Sequence, residues 1–224
     1  MAAKLYYFYQ RGMAELPRLV CVAAGIEFEE INLTTRSDLL KLLEEGKLLF
    51  GQIPLLEIDG HQIVQTRAIV RYVAKKASGS LLGKNDAEEI RVDMIFEAGR
   101  DFTLPSLEIG FLPDEEVLPD LQNRVMPKYM PKFEKIAAEN GSGYLVGDSF
   151  TVADLSVVEG LLVYVEYFGP DILQGFPALQ KFFDTVTSLE RISSYLKSPL
   201  RKKKNDPPCI AKVLEVLGKD RYQR

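Results

Sequence analysis

Tyr7 stands in a short β-prone run, residues 4–9 (KLYYFY), immediately before the turn Gln10-Arg11-Gly12 that leads into the first helical segment. By residue type alone it is one of four consecutive strand aromatics, with Tyr6, Phe8 and Tyr9. Farther along, Gln52-Ile53-Pro54 sets a proline at the first residue of a strand, where its missing amide hydrogen is tolerated. Gln65-Thr66 falls where a strand becomes a helix. A helix start offers unpaired amides and partial positive charge to a carboxylate, although an ordinary helix cap would read the same way. Each cluster is weak by itself, and together they point past a bare fold. Other chemistries find less support. His61 is the only histidine, which rules out a multi-histidine metal site and leaves a histidine-based triad a single poor candidate. It directly follows the turn signal Asp59-Gly60 and reads as an exposed bystander. Cys21 and Cys209 lack CxxC spacing and lie far apart in sequence, so neither a disulfide framework nor a zinc site is indicated.

The segments that must position these residues change character along the chain. Residues 15–24 carry an apolar helical stripe at Leu16, Leu19, Val20, Ala23 and Ala24, with Gly25 where a C-terminal cap belongs. Residues 27–33 alternate Phe28, Ile31 and Leu33 with carboxylates and predict a strand. Residues 37–45 predict a short helix opened by Ser37 and closed by Gly46. Residues 54–58 and 61–64, joined by Asp59-Gly60, carry a hairpin signature, and a helix over about 66–76 completes the unit. The order β-α-β-α-β-β-α is that of thioredoxin-like domains, and order alone also fits other α/β sandwiches. Beyond Gly83 the pattern is helical throughout, over about 86–110, 115–139, 151–168, 177–197 and 210–219. The sequence therefore predicts an α+β thioredoxin-like domain over 1–82 and an all-α domain over 83–224. Phe150-Thr151-Val152-Ala153-Asp154-Leu155 predicts a capped helix start, a folding device rather than chemistry.

Composition narrows the function classes. With 46% hydrophobic and 27% charged residues in a chain of 224, a sizeable core can form without staples. No apolar run reaches the roughly 20 residues that a membrane-spanning helix needs, and MAAKLYYFYQ lacks the apolar core of a signal peptide, so a cytoplasmic protein is expected. Net charge is only −4. The one basic run, Arg201-Lys202-Lys203-Lys204, sits beside Asn205, Asp206, Pro207 and Pro208 and reads as a solvated connector rather than a nucleic-acid patch.

Taken with KLYYF, AAGIEFEE, FGQIPLLEIDG, QTRAIVRY, Ala98-Gly99-Arg100-Asp101 and YLVGDSFTVADL, in that order, the whole chain resembles the cytosolic glutathione transferases, and most closely their alpha class. The resemblance implies that Tyr7 donates a hydrogen bond to the glutathione sulfur. A thiol with a pKa of about 8.5 is mostly protonated at neutrality, and lowering that value by two units takes about 2.7 kcal/mol of preferential anion stabilisation, which a charge-assisted hydrogen bond largely supplies. It further implies a cis Ile53-Pro54 peptide facing the cysteinyl part of glutathione, Gln52 near the glycyl part, and Gln65 and Thr66 at the γ-glutamyl carboxylate. Asp101 would reach glutathione held by a second subunit, and Phe50 would key into that subunit's pocket, giving a homodimer. Phe8, Gln10, Met13, Leu107, Phe111 and Leu214 would wall a pocket for a hydrophobic electrophile, the last on a C-terminal lid helix.

Departures from the family pattern bear on activity. Met13 replaces an arginine beside the sulfur, a loss that Arg11 or another group could offset. Leu43 stands where a basic residue meets the glycyl carboxylate, with Lys41 and Lys47 nearby, Lys128 replaces an arginine of the subunit contact, and Arg221 replaces a lid aromatic. The expected reaction is conjugation of glutathione, used as a substrate with no cofactor and no metal. The alternatives are a glutathione-dependent isomerase and a non-catalytic ligand-binding or structural protein of the same fold.

Overall fold

A computed structural model of the chain describes residues 2–77 and 81–218. Strand β1 (Ala3–Tyr7) lies inside a four-stranded sheet of order β2-β1-β3-β4. It runs parallel to β2 (Phe28–Asn32) and antiparallel to β3 (Leu55–Ile58), and β3 pairs antiparallel with β4 (His61–Val64). Helix α1 (Glu15–Ala24) makes the crossover between β1 and β2, and Gly25 ends it at φ 69°, a left-handed turn that glycine adopts without strain. Helix α2 (Arg36–Glu44) precedes the hairpin, and α3 (Thr66–Lys76) follows it. This is the thioredoxin-like arrangement, with β1 central so that its C-terminal end faces the molecule's interior.

Helices make up the rest. They are α4 (Asp86–Thr103), α5 (Asp114–Asp120), α6 (Met126–Asn140), α7 (Val152–Phe168), α8 (Pro177–Ser188), α9 (Glu190–Lys197) and α10 (Pro207–Leu217). Helix α7 is apolar nearly all round and forms the centre of this part, buried along its first ten residues. It packs closely on α4 because Gly99 and Gly160 are bare. A Cβ on Gly160 would stand 2.6 Å from the Phe102 ring, and one on Gly99 would meet the backbone of Ser156 at 2.9 Å. The Thr151–Asp154 capping box starts α7 as expected. Burial, opposed by the hydrogen bonds Asp154 accepts from the Leu145 and Thr151 amides, pushes its carboxyl up to about 6.

Several boundaries differ from the sequence expectation, each for a physical reason. Helix α2 is capped by Thr35 rather than Ser37, with Asp38 reaching back to the Thr35 amide. The segment expected as one helix over 86–110 ends at Thr103, because Pro105 has no amide to give and a short 3-10 turn follows. The 115–139 segment divides at a π turn over Leu121–Val125, flanked by Pro119 and Pro127. The 177–197 segment breaks at Leu189, which is extended. Just before it the hydroxyls of Thr187 and Ser188 donate to the carbonyls of Phe183 and Thr185. Helix α10 starts earlier than expected, at Pro207, capped by the Asp206 side chain.

The basic run is not the solvated connector that its composition suggested. Lys202 is buried, ion-paired to Glu30 and placed 4.5 Å over the Tyr9 ring, while its carbonyl accepts from Arg11 Nε at 2.7 Å. The buried Glu15 and the partly buried Glu30, both also paired with Arg18, thus draw the run across the end of the sheet. No helix among the described residues is long and apolar enough to cross a membrane.

Candidate functional site

Tyr7 is the last residue of β1, so its side chain emerges where the central strand ends and the chain turns toward α1. Its ring is buried, 4.9 Å from Phe8, and its hydroxyl accepts the Met13 amide at 3.0 Å. The turn that supplies this amide depends on Gly12, which has φ 45° and whose absent Cβ would otherwise stand 2.5 Å from the Tyr7 oxygen. A phenol that accepts at its oxygen can still donate its own proton.

On one side of this point the hairpin and α3 form a cavity of about 210 Å³ whose walls include Met13, Gln52, Ile53, Pro54, Gln65 and Thr66. The Ile53-Pro54 peptide is cis. Gln65, the residue before α3, has φ 72° and ψ 120°, a conformation that costs a non-glycine residue about 1–3 kcal/mol and that persists only where the surroundings impose it. Its side chain donates to Gln52 Oε1 at 3.2 Å. Thr66 is buried, and its hydroxyl donates to the Met13 carbonyl at 3.0 Å, so the β1–α1 turn and the start of α3 are tied together. The first amides of α3 have no intrahelical acceptor, and the helix starts at this cavity's wall, which Gln65 and Thr66 line.

A second cavity, of about 160 Å³, holds the Tyr7 edge itself and is walled by Phe8, Gln10, Leu107, Phe111, Val213 and Leu217 among others. Phe8, Met13 and Leu217 line both cavities, which therefore meet beside Tyr7. Leu217 belongs to α10, whose last carbonyls accept from Arg36 of α2 at 3.1 and 2.6 Å. Leu214 is placed differently from the expectation. It lines a neighbouring cavity of about 490 Å³, and Val213 and Leu217 are the α10 residues on the Tyr7 side.

The charged groups nearby are mostly paired. Arg11 makes a bidentate bridge to Glu166 at 2.5 and 3.0 Å, and this contact holds Glu166 below the usual carboxylate range although burial pushes it up. Behind Met13, its Sδ lies 3.3 Å from Arg100 Nη2, and Arg100 in turn pairs with the fully buried Glu159 at 2.6 Å. Burial drives the Glu159 carboxyl up to about 7 against the opposing pull of Arg100. Sequence reasoning missed this pair. Its members are 59 residues apart, and only the shared core between α4 and α7 brings them together.

Family models described as the glutathione S-transferase N-terminal and C-terminal domains match residues 2–75 and 111–199. The chain is 39% identical over 223 residues to glutathione S-transferase A4 of Mus musculus, covering 97% of this chain and 99% of that one. It is 37% identical over 218 residues to glutathione S-transferase alpha-5 of Rattus norvegicus, covering 96% and 97%. The chain belongs to the glutathione S-transferase family. Among solved structures, Na-GST-3 of the hookworm Necator americanus, described as monomeric, aligns with a TM-score of 0.79 at 33% identity over 92% of this chain and all of that one. A protein described as prostaglandin synthase D of Nilaparvata lugens aligns with a TM-score of 0.72 at 27% identity over 89% and 98%.

Positions outside the two joined cavities in this glutathione S-transferase also have definite places. Asp101 is exposed on α4, with the Tyr129 hydroxyl donating to it at 3.4 Å, and Lys128 lies 4.6 Å over the Tyr129 ring. Leu43 is exposed on α2, and Lys47 is engaged with Glu57 and Glu45 at 3.0 and 3.1 Å. Phe50 projects from its loop, 63% exposed. Arg221 lies outside the described residues. Cys21 is buried and free, its thiol pushed up to about 12 by burial.

Proposed function

We propose that this glutathione S-transferase conjugates reduced glutathione to small hydrophobic electrophiles through a thiolate stabilised by the Tyr7 hydroxyl. The observation that carries the reading is that two cavities share Phe8, Met13 and Leu217 as walls, beside Tyr7, whose hydroxyl the Met13 amide holds. The one beside the cis peptide and the start of α3 suits a carboxylate-bearing tripeptide, and the other is largely apolar. Glutathione would lie with its γ-glutamyl carboxylate at Gln65 and Thr66, its cysteinyl part along Ile53 and Pro54, and its glycyl part toward Gln52. Arg11 is not the replacement cation, since Glu166 already balances its charge. The Met13 amide takes part of that role by fixing the Tyr7 oxygen.

The sequence of events is short. The bound thiol loses its proton to solvent, and the phenol proton of Tyr7 bonds to the sulfur anion. The sulfur then forms a bond to an electrophilic carbon. In aromatic substitution a halide departs, and in conjugate addition the alkene π electrons move to an enolate that takes up a proton. Holding both partners beside one another raises the effective concentration of thiolate at the reacting carbon.

Replacing Tyr7 by phenylalanine tests the assignment. Glutathione binding is expected to persist while turnover of an aryl halide falls about a hundredfold, the scale of losing one positioned donor to a developing anion. The ultraviolet thiolate band seen on saturating the wild type near neutrality should move to higher pH in Tyr7→Phe. Unchanged turnover and an unchanged band would remove Tyr7 from the mechanism. The likeness to a prostaglandin synthase favours a second reading, in which glutathione assists an isomerisation and is regenerated. Stoichiometric recovery of glutathione after turnover separates it from conjugation.

A further inference from the structure

The cavity at the Tyr7 edge is apolar on most of its wall but carries three charged residues: Arg11, Glu166 and Lys204. Arg11 and Glu166 neutralise each other through two hydrogen bonds. Lys204 is different. Its ammonium lies 3.6 Å from the centroid of the Tyr167 ring, and none of the salt bridges among the described residues involves it. It is attracted to Glu166 only at longer range, and Asp114 and Asp206 line the neighbouring cavity beyond salt-bridge reach. The cavity wall thus has one positive charge in excess. That charge belongs to the basic run of which two earlier members are already engaged: Lys202 by Glu30, and Arg201 near Glu15.

Lys204 is exposed at the rim that this cavity shares with its neighbour, and two further observations tie it to this wall. Anchoring Lys202 through both its side chain and its carbonyl fixes the path of the chain just before Lys204, and the Asp206 cap of α10 fixes it just after. Gln10 lines the same cavity while only 5% exposed, and its side-chain oxygen is buried without a hydrogen-bond partner among the described residues. A wall with a cation outside any salt bridge and an orphaned amide oxygen suits a ligand with polar atoms and not a bare hydrocarbon.

We propose that the electrophiles this enzyme prefers carry a negative charge, a carboxylate set apart from the reacting carbon by an apolar segment, and that Lys204 is the residue that selects them. The inference rests on the reading that this cavity receives the electrophile. The apolar segment would lie along Phe8, Leu107 and Val213, the reacting carbon at Tyr7, and the carboxylate at the ammonium, which lies over the Tyr167 face. In conjugate addition the sulfur bonds to the β-carbon, the enolate gains one proton from solvent at the α-carbon, and the carboxylate is unchanged throughout.

The test compares 4-phenylbut-3-en-2-one with its analogue bearing a carboxylate on the ring para to the alkene. Each kcat/KM is divided by the uncatalysed rate with glutathione, and the selectivity is the acid-to-neutral ratio. Lys204→Met should lower that ratio about threefold to tenfold, the range for a charge pair near the surface, with the loss in KM for the acid. Lys204→Arg should retain it, and 0.5 M salt should shrink it in the wild type and Lys204→Arg but not in Lys204→Met. A ratio identical in wild type and Lys204→Met, or a drop shared equally by both substrates, would overturn the assignment of Lys204 while leaving the conjugation reading intact. Failure of the wild type to add glutathione to either enone would overturn both.

Discussion

At Tyr7 the decisive contact is with a backbone amide. The 3.0 Å bond from Met13 fixes the phenol oxygen, and it forms only because Gly12 turns the chain at φ 45° without a side chain. Replacing Gly12 by alanine should therefore act on the tyrosine. The new Cβ would overlap the Tyr7 oxygen, and the left-handed backbone would add about 1–2 kcal/mol of strain. Turnover is expected to fall about tenfold to a hundredfold, because an ångström of displacement at a reacting group costs that much, with glutathione affinity little changed. Steady-state kinetics and glutathione titration of Gly12→Ala check this, and a rate within twofold of wild type would show that the turn tolerates a side chain. This contact also shows what the sequence made legible at the site. Tyr7, Ile53-Pro54, Gln65 and Thr66 were each weak as local patterns and could be picked out because the segments around them resemble a known family in the right order. A backbone amide has no signature, since any residue but proline at position 13 would supply it. The surroundings of Met13 were equally hidden, because Arg100 arrives from a different helix.

Helices α4 and α7 hold a second consequence in the Arg100–Glu159 pair. Burial raises Glu159 from its ordinary 4.5 to about 7, so the folded protein binds this proton more tightly than the unfolded chain does. Its contribution to stability is fully present below about 4.5 and is lost as the pH rises to 7. Glutamine resembles the protonated form, so Glu159→Gln and wild type should unfold alike in urea at low pH. Across the window the wild type should lose ground to the variant, by at most about 1.4 kcal/mol per pH unit. A difference that stays flat with pH would mean that Glu159 is ionised throughout. The elements themselves were largely legible, since periodicity and caps mark α1, α3 and α7 closely. The breaks were not. At Leu189 there is no glycine or proline to read, and the hydroxyls that compete for carbonyls there look like ordinary helix residues. The run 201–204 misled for a related reason. Composition says that lysines prefer water, and only the fold reveals that Glu30 lies close enough to bury one.

For the whole molecule, the outer surface carries apolar residues that the core does not use. Phe50 and Leu49 project from the loop before the cis peptide, and Ile90 and Met94 stand one turn apart on α4, both more than 60% exposed. Glu97 and Asp101 continue the same face of α4 at helical spacing. An apolar loop tip, an apolar helix stripe and a carboxylate beside them suit a two-fold dimer in which each copy inserts Phe50 into the other and Asp101 approaches the partner's glutathione. Because one family member is described as monomeric, the proposal depends on this chain's own surface. Sedimentation should give a species of twice 25.2 kDa for the wild type at micromolar concentration. Phe50→Glu should shift it to the monomer, since burying an unpaired carboxylate in place of a ring removes about 3 kcal/mol or more of anchor energy. If Asp101 acts across the interface, Asp101→Asn should weaken glutathione binding in the dimer and leave the Phe50→Glu monomer unaffected. A wild-type chain that sediments as a single copy would dispose of the interface, and with it any role for Asp101 in a neighbouring site.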